Sequence, residues 1–309
     1  MAVMLPSQPR VLILLNPFAG RAYNLKQTLE SAADIWRSQG WDVEIQLTKA
    51  PGDATVQARI AAESGYDVVV AAGGDGTINE VVNGLVGTST ALAVLPIGTV
   101  NIWARELGLP MDLRRVAYAF LTAQLEQIDV GKAGERYFLL MAGVGFDGAV
   151  TAQINPLEKK RLGVFAYVKE TLQLALCYQG VRSFVCIDGQ RIRGRILLIV
   201  IGNSQLYGGV VKLTAHAVVN DGLLDVCVIK GHSMLVAPLR LISVFTRRYN
   251  RDPKVVYYRA RRVDINGKNI LSVQVDGDYL GTTPMSFEVV PKCLFVLVPK
   301  TVDKSLWQS

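Results

Sequence analysis

Residues 73–77, Gly73-Gly74-Asp75-Gly76-Thr77, stand where a short apolar run (residues 67–72, DVVVAA) gives way to a helical pattern. Glycines let a backbone approach a bulky anion, and a helix N-terminus offers unpaired N–H groups and a positive dipole end. Phosphate is the natural ligand. The spacing matches neither GxGxxG nor GxxxxGK[ST]. Asp75 would repel a phosphate unless it positions a metal or a nucleophile. The same residues also read as a plain glycine turn whose Asp or Thr caps the helix. Two further turns repeat the theme: Asn16-Pro17-Phe18-Ala19-Gly20 after RVLILL, and Pro96-Ile97-Gly98-Thr99-Val100-Asn101 after ALAVL. The three turns follow three strands at one sheet edge and line one crevice. Open α/β sheets bind their ligands at such carboxyl ends.

The elements that position these turns alternate. Strands are predicted at residues 10–15, 42–47, 67–72 and 91–95, and helices at 25–39, 54–64 and 77–85. Regular alternation of apolar runs and amphipathic helices means a parallel sheet covered on its faces. From about residue 131 the pattern changes to many strands separated by Asp188-Gly189, Asn220-Asp221-Gly222, Asn266-Gly267 and Asp276-Gly277. That is hairpin chemistry and predicts a mainly antiparallel β-sandwich or barrel. Helical inserts are expected near 163–178 and 234–247. The domains expected are therefore 1–130, nucleotide-binding α/β, and 131–309, β-sandwich. Whether a final strand returns to the first domain is open at this stage.

The motifs resemble a known family. GGDGTINEVVNGL (73–85), NPFAG (16–20) and PIGTVNIWARELGLP (96–110) look like the diacylglycerol kinase catalytic domain. The chain is especially similar to the bacterial soluble lipid kinases, related to sphingosine and ceramide kinases. The likeness continues through AGVGFD (142–147), NDGLLD (220–225) and VDGD (275–278). GGDGT alone is shared with NAD kinases and 6-phosphofructokinases, whose fold the α/β half would share; the ordered set is more specific. The resemblance implies an ATP- and Mg²⁺-dependent lipid kinase acting on a diacylglycerol-like hydroxyl. It assigns Asn16, Thr48, Gly73, Gly74, Asp75, Gly76, Thr77, Ile78, Asn79 and Thr99 to ATP. It makes Asp276 the base that takes the lipid hydroxyl proton. Asp75 and Asp278 become magnesium carboxylates, and a structural metal falls on Asp221 with the carbonyls of Val218 and Leu223. It implies a homodimer as well. Asp278 departs from the usual Glu, Ala19 from a common Ser, and Ile102-Trp103 from an acidic–aromatic pair. Taken alone, Asp276-Gly277 is an ordinary hairpin turn; Asp188-Gly189, outside any such motif, is read as one.

Charge and composition narrow the rest. Half the residues are hydrophobic and 19% are charged, which excludes a disordered chain. The four cysteines form no CxxC pair and there are only two histidines, which argues against a structural zinc or a disulfide framework. No apolar run reaches the ~18 residues of a membrane span. The expected location is the cytoplasm, peripheral to the inner membrane surface. The net charge of +7 divides into −4 over residues 1–130 and +11 over 131–309. The basic half suits an anionic membrane surface; its apolar helices edged by Lys and Arg read equally as packed inserts. The alternation Arg191, Arg193, Arg195 reads as one solvent face of a strand. No nucleic-acid motif is present. The crevice is expected between the halves. The alternatives are an NAD kinase and a non-enzymatic lipid- or nucleotide-binding protein.

Overall fold

A computed structural model describes residues 5–19, 25–154, 164–209, 211–234, 254–267, 269–300, 302 and 304–307. The expected insert at 234–247 and the basic clusters Lys159-Lys160-Arg161 and Arg247, Arg248 and Arg251 fall almost wholly outside those residues; only Met234 is described. The chain divides into two compact units. One comprises residues 1–130, 219–221 and 291–309, the other residues 131–218 and 222–290.

The first unit opens with β1 (Arg10–Leu15), α1 (Leu25–Arg37), β2 (Asp42–Leu47), α2 (Asp53–Glu63), β3 (Val68–Gly73), α3 (Asp75–Leu85) and β4 (Ala91–Pro96). Next come α4 (Ile102–Glu106), α5 (Leu113–Phe120) and β5 (Gln124–Ala133), whose last residues pass into the second unit. The sheet order is β2-β1-β3-β4, all parallel, with Val11 opposite Val43 and Val68, and Val68 opposite Ala91. All six residues of β3 and of β4 are buried, so both sheet faces are covered, as continuous apolar strands require. Helix α1 packs on α5, where the Trp36 indole N–H donates to Ala117 O at 2.9 Å, and α2 packs on α3. The close approach of α2 and α3 needs Gly84: a Cβ there would stand 2.5 Å from Thr55 O.

The second unit contains β6 (Arg136–Phe138), β7 (Met141–Gly145), α6 (Phe146–Gln153), α7 (Val164–Cys177), β8 (Val181–Ile187) and β9 (Gln190–Gly202). It continues with β10 (Leu206–Tyr207), β11 (Val211–Lys212), β12 (Leu224–Lys230), β13 (Val255–Ala260), β14 (Arg262–Asn266), β15 (Ser272–Val275) and β16 (Asp278–Thr282). The last strand, β17 (Met285–Val298), starts here and ends in the first unit. Strand pairing in this unit is antiparallel: β9 pairs with β8, β7 and β12, β14 with β8 and β17, β15 with β7 and β16. This is the β-sandwich-like half. Val144, Ile199, Val226, Val263, Val273 and Phe287 form its core, each fully buried. Burying one such side chain contributes roughly 1.5–3 kcal/mol. From Pro291 onward β17 lies in the first unit, pairing parallel with β4 (Phe295 opposite Ala91). No helix among the described residues is long and apolar enough to cross a membrane.

Candidate active site

In the first unit the three polar turns meet. β1, β3 and β4 are parallel and in register, so their carboxyl ends lie at one edge. Asn16 Nδ2 donates to Thr77 Oγ1 at 3.1 Å, which ties the first turn to the glycine turn. Asp75 Oδ1 accepts the Ile102 N–H at 2.7 Å, which ties the glycine turn to the third. Gly98 lies against Gly74: a Cβ on Gly98 would stand 2.4 Å from Gly74 Cα. Only glycine permits that approach. Asn101 locks the third turn with its side chain, donating to Gly98 O (2.8 Å) and accepting from Gly98 N (2.9 Å). Its φ of 55° lies in the left-handed region, which Asn tolerates better than most residues. Asn101 ends the third turn, PIGTVN, without an assigned role. Its only signal was an Asn three residues after a Gly.

Helix α3 starts at Asp75 with Gly74 as N-cap, and no side chain caps it. The N–H groups of its first turn therefore have no intrahelical acceptor. Burial pushes the Asp75 carboxyl above its usual range, against backbone hydrogen bonds from Ile102, Trp103 and Asn101 that lower it. Thr77 is buried beneath the turn, and a Cβ on Gly73 would fall 2.4 Å from its side chain. Ile78 offers little to a ligand: its side chain is buried and its N–H goes to Gly74 O at 3.1 Å. Asn79 is buried too, accepting from Asn83 Nδ2. Thr48 follows β2, its N–H bonded to Leu15 O at 2.9 Å, and Thr99 is exposed in the third turn.

In the second unit Asp276 turns the β15–β16 hairpin. Its φ is 47° and that of Gly277 is 84°, the two left-handed residues of a tight two-residue hairpin. Its carboxylate accepts three backbone N–H groups: Leu139 (2.8 Å), Leu140 (3.0 Å) and Met141 (2.9 Å). Its own N–H donates to Met141 O at 2.9 Å. Asp188 repeats this geometry: φ is 43°, its N–H donates to Arg262 O at 3.0 Å, and its carboxylate accepts from Arg261 and Arg262. The two Asp-Gly turns that looked unlike in sequence are alike in space. They differ in exposure: Asp188 is exposed and Asp276 is half-buried.

A side-chain relay braces the Asp276 turn: Asp147 ends the AGVGFD motif, and nothing local marks Gln274 and Tyr207 as its partners. Gln274, buried on β15, accepts the Gly277 N–H at 2.8 Å and donates to Asp147 Oδ2 at 2.7 Å. Asp147 Oδ1 accepts from the Tyr207 hydroxyl at 2.5 Å. Burial pushes the Asp147 carboxyl up, while Tyr207 and Gln274 pull it down. Gly143 makes the room, since a Cβ there would stand 1.9 Å from Asp147 Oδ2.

The metal candidates divide by chemistry. Val218, Asp221 and Leu223 lie in the turn leading into β12, and one carboxylate with two carbonyls is the hard oxygen set that Mg²⁺ takes. Asp278 opens β16 and faces Arg136 Nη2 at 3.9 Å. Among the described residues no three His, Cys, Asp or Glu side chains could hold an ion by themselves. Carbonyls and waters would complete any coordination shell, which is usual for Mg²⁺.

Comparison with known proteins covers most of the chain. Residues 10–133 match the diacylglycerol kinase catalytic domain, and residues 141–298 match the YegS C-terminal NAD kinase beta sandwich-like domain. The chain is 31% identical over 301 residues to a diacylglycerol kinase of Bacillus subtilis (strain 168), covering 96% of this chain and 99% of that protein. The chain belongs to the diacylglycerol kinase family. A diacylglycerol kinase of Staphylococcus carnosus (strain TM300) is 30% identical over 300 residues, covering 96% and 97%. A crystal structure of a diacylglycerol kinase from Bacillus anthracis str. Sterne shares the fold, with a TM-score of 0.74, 24% identity, and 96% and 100% of the two chains covered. The protein is thus a lipid kinase. The glycine turn, Asn16, Thr48 and Thr99 fall in the first matched region, and Asp147, Asp276 and Asp278 in the second.

Proposed function

We propose that this kinase transfers the γ-phosphate of ATP to a hydroxyl of diacylglycerol or a related lipid, using Mg²⁺, at an anionic membrane surface. The observation that carries the reading is the joined set of three strand-end turns at the open N-terminus of α3, within the part of the chain that matches the catalytic domain. N–H groups of Gly74, Gly76 and Thr77 would cradle the phosphates, as helix N-termini do. Asn16, Thr48 and Thr99 add polar groups at the same strand ends. Mg²⁺, when bound, supplies neutralisation of phosphate charge; Asp75 and Asp278 would serve it, and Val218, Asp221 and Leu223 would hold a structural ion. Phosphoryl transfer asks the protein mainly to position reactants and neutralise charge. As the lipid oxygen bonds to γ-phosphorus, its proton passes to the Asp276 carboxylate and the bond to the ADP oxygen breaks. Three backbone N–H donors aim that carboxylate.

The test is transfer of labelled γ-phosphate from ATP with a total lipid extract, with NAD as a parallel acceptor. Labelled lipid is expected. Labelled NADP with no labelled lipid would sink the reading.

A further inference from the structure

The second unit carries a basic cavity that the transfer chemistry does not use. Its volume is about 780 Å³, and Arg182, Arg193, Arg195, Lys230 and Lys254 line it with no carboxylate among the described lining residues. Strand register explains the concentration of charge. On the β8–β9 hairpin Arg182 stands directly opposite Arg195, and Phe184 opposite Arg193. Side chains directly opposite have Cβ atoms roughly 4.5–5.5 Å apart, and like charges so placed are destabilising. Among the described residues none of the three arginines forms an ion pair; Arg195 Nη1 donates only to Gly180 O, at 3.2 Å. The Lys230 stem lies beside Gly194, between the two β9 arginines, where a Cβ would make ordinary contact with Lys230 Cδ at 3.4 Å. The alternation read from sequence as a solvated strand face is one, with Arg191 and Arg193 exposed and Arg195 half-buried, and Arg193 and Arg195 also form one wall of the open cavity on that face. Its other cations come from β8, from the end of β12 and from Lys254, immediately before β13.

We propose that this cavity binds a phosphate-bearing anion. Guanidinium groups match phosphate oxygens in bidentate geometry, and an ammonium adds a point charge. An anion between Arg182 and Arg195 would turn their repulsion into shared attraction. Two sources supply this chemistry: the headgroup of an anionic phospholipid, or a soluble phosphate. Phe184, 40% exposed beside Arg193, would lie against the apolar part of a lipid and against nothing in a free phosphate.

The test uses the full chain and the double variant Arg182→Gln/Arg193→Gln. Arg191→Gln is the control, because Arg191 lies on the same strand outside the lining residues. Binding is measured to inorganic phosphate by calorimetry, and to phosphatidylcholine vesicles with and without phosphatidylglycerol by sedimentation, all at one ionic strength. Saturable phosphate binding is expected, weakened on the order of tenfold or more in the double variant, since hydrogen bonds to charged groups are the strong ones. Arg191→Gln should bind as the parent does. If phosphate at saturating concentration also releases the protein from phosphatidylglycerol vesicles, the lipid headgroup is the source. If vesicle binding ignores phosphate, the soluble anion is the ligand. Absence of saturable phosphate binding would overturn the cavity, as would equal losses in the double variant and in Arg191→Gln, which would mean diffuse surface charge. A second readout is thermal: without phosphate, Arg182→Gln should melt no lower than the parent, because it removes a like-charge pair. A clear fall would show that the two arginines are not in conflict.

Discussion

Asp276 carries two burdens at once. Its carboxylate pins the N–H groups of residues 139–141, at the start of β7, and it is the proposed proton acceptor. Asp276→Asn keeps a carbonyl oxygen for two of those donors but turns an NH₂ toward the third, so about 1–3 kcal/mol of stability should go with the activity. Loss of activity alone would therefore say little. Asp188→Asn is the matched comparison, because Asp188 has the same turn and the same use of its carboxylate. Both variants should lower the melting temperature by a few degrees, and only Asp276→Asn should abolish lipid phosphorylation. Equal loss of transfer in the two would demote Asp276 to a turn residue. Asp147 makes a separate prediction. Burial raises its folded pKa above the unfolded value, so its stabilising share is whole at low pH and declines as pH climbs from the unfolded toward the folded pKa. Asp75 shifts in the same direction and remains in the variant. Asp147→Asn should thus flatten part of that decline in a series of urea melts across acidic pH. The Asp276 turn should hold, since the amide oxygen can still accept from Gln274 while its NH₂ donates to the Tyr207 hydroxyl. An unchanged pH profile would mean that Asp147 titrates in the folded chain as it does unfolded.

The turns are built from packed glycines rather than from reactive side chains, and this sets what a single methyl does. Gly98→Ala would drive a Cβ to 2.4 Å from Gly74 Cα and 2.8 Å from Asn101 Oδ1. Backbone cannot yield as a side-chain tip does, so the glycine turn must shift. The expected cost is about 1–3 kcal/mol of stability, typical of overpacking. Transfer should fall further than stability accounts for, because the α3 N–H groups move with Gly74. Steady-state kinetics should show a raised KM for ATP; an unchanged KM would mean that the turn does not hold the nucleotide. These turns were legible in the sequence because each ends a continuous apolar run, and period and punctuation are local signals. Asn101, Asp147, Tyr207 and Gln274 were not. Asp147, Tyr207 and Gln274 are single polar residues in or beside apolar stretches, with partners 60 or more residues along the chain, whereas Asn101 bonds Gly98 three residues back in a lock that no hydrophobic period marks. The likeness of Asp188 to Asp276 was hidden because the N–H groups each carboxylate accepts lie 73 and 135 or more residues away. In the second unit Asp-Gly signals located the hairpins, but nothing local could say that β7 pairs with β9 or β14 with β8.

At the scale of the whole chain, the first unit is not a contiguous segment. It is completed by residues 291–309, and the strand they form beside β4 buries Leu294, Val296, Leu297 and Val298 almost completely. Cys293 O accepts the Gly87 N–H at 2.8 Å, and the Lys292 N–H satisfies Oδ1 of the wholly buried Asp129 at 2.7 Å. At roughly 1.5–3 kcal/mol per buried aliphatic side chain, that strand outweighs a net stability of about 5–15 kcal/mol for much of its range. A chain ending at Val290 should therefore lose the first unit while keeping the second, whose share of β17 stops there. Two probes separate these outcomes. All four tryptophans, Trp36, Trp41, Trp103 and Trp307, belong to the first unit. Cys227 lies in the core of the second, where burial pushes its thiol up to about 12. In the shortened chain the three remaining tryptophans should emit as in water, while Cys227 stays closed to a thiol reagent that modifies the exposed Cys177 at once. Native-like tryptophan emission would mean that β17 adds little to the first unit. Rapid Cys227 labelling would mean that the second unit fails with the first.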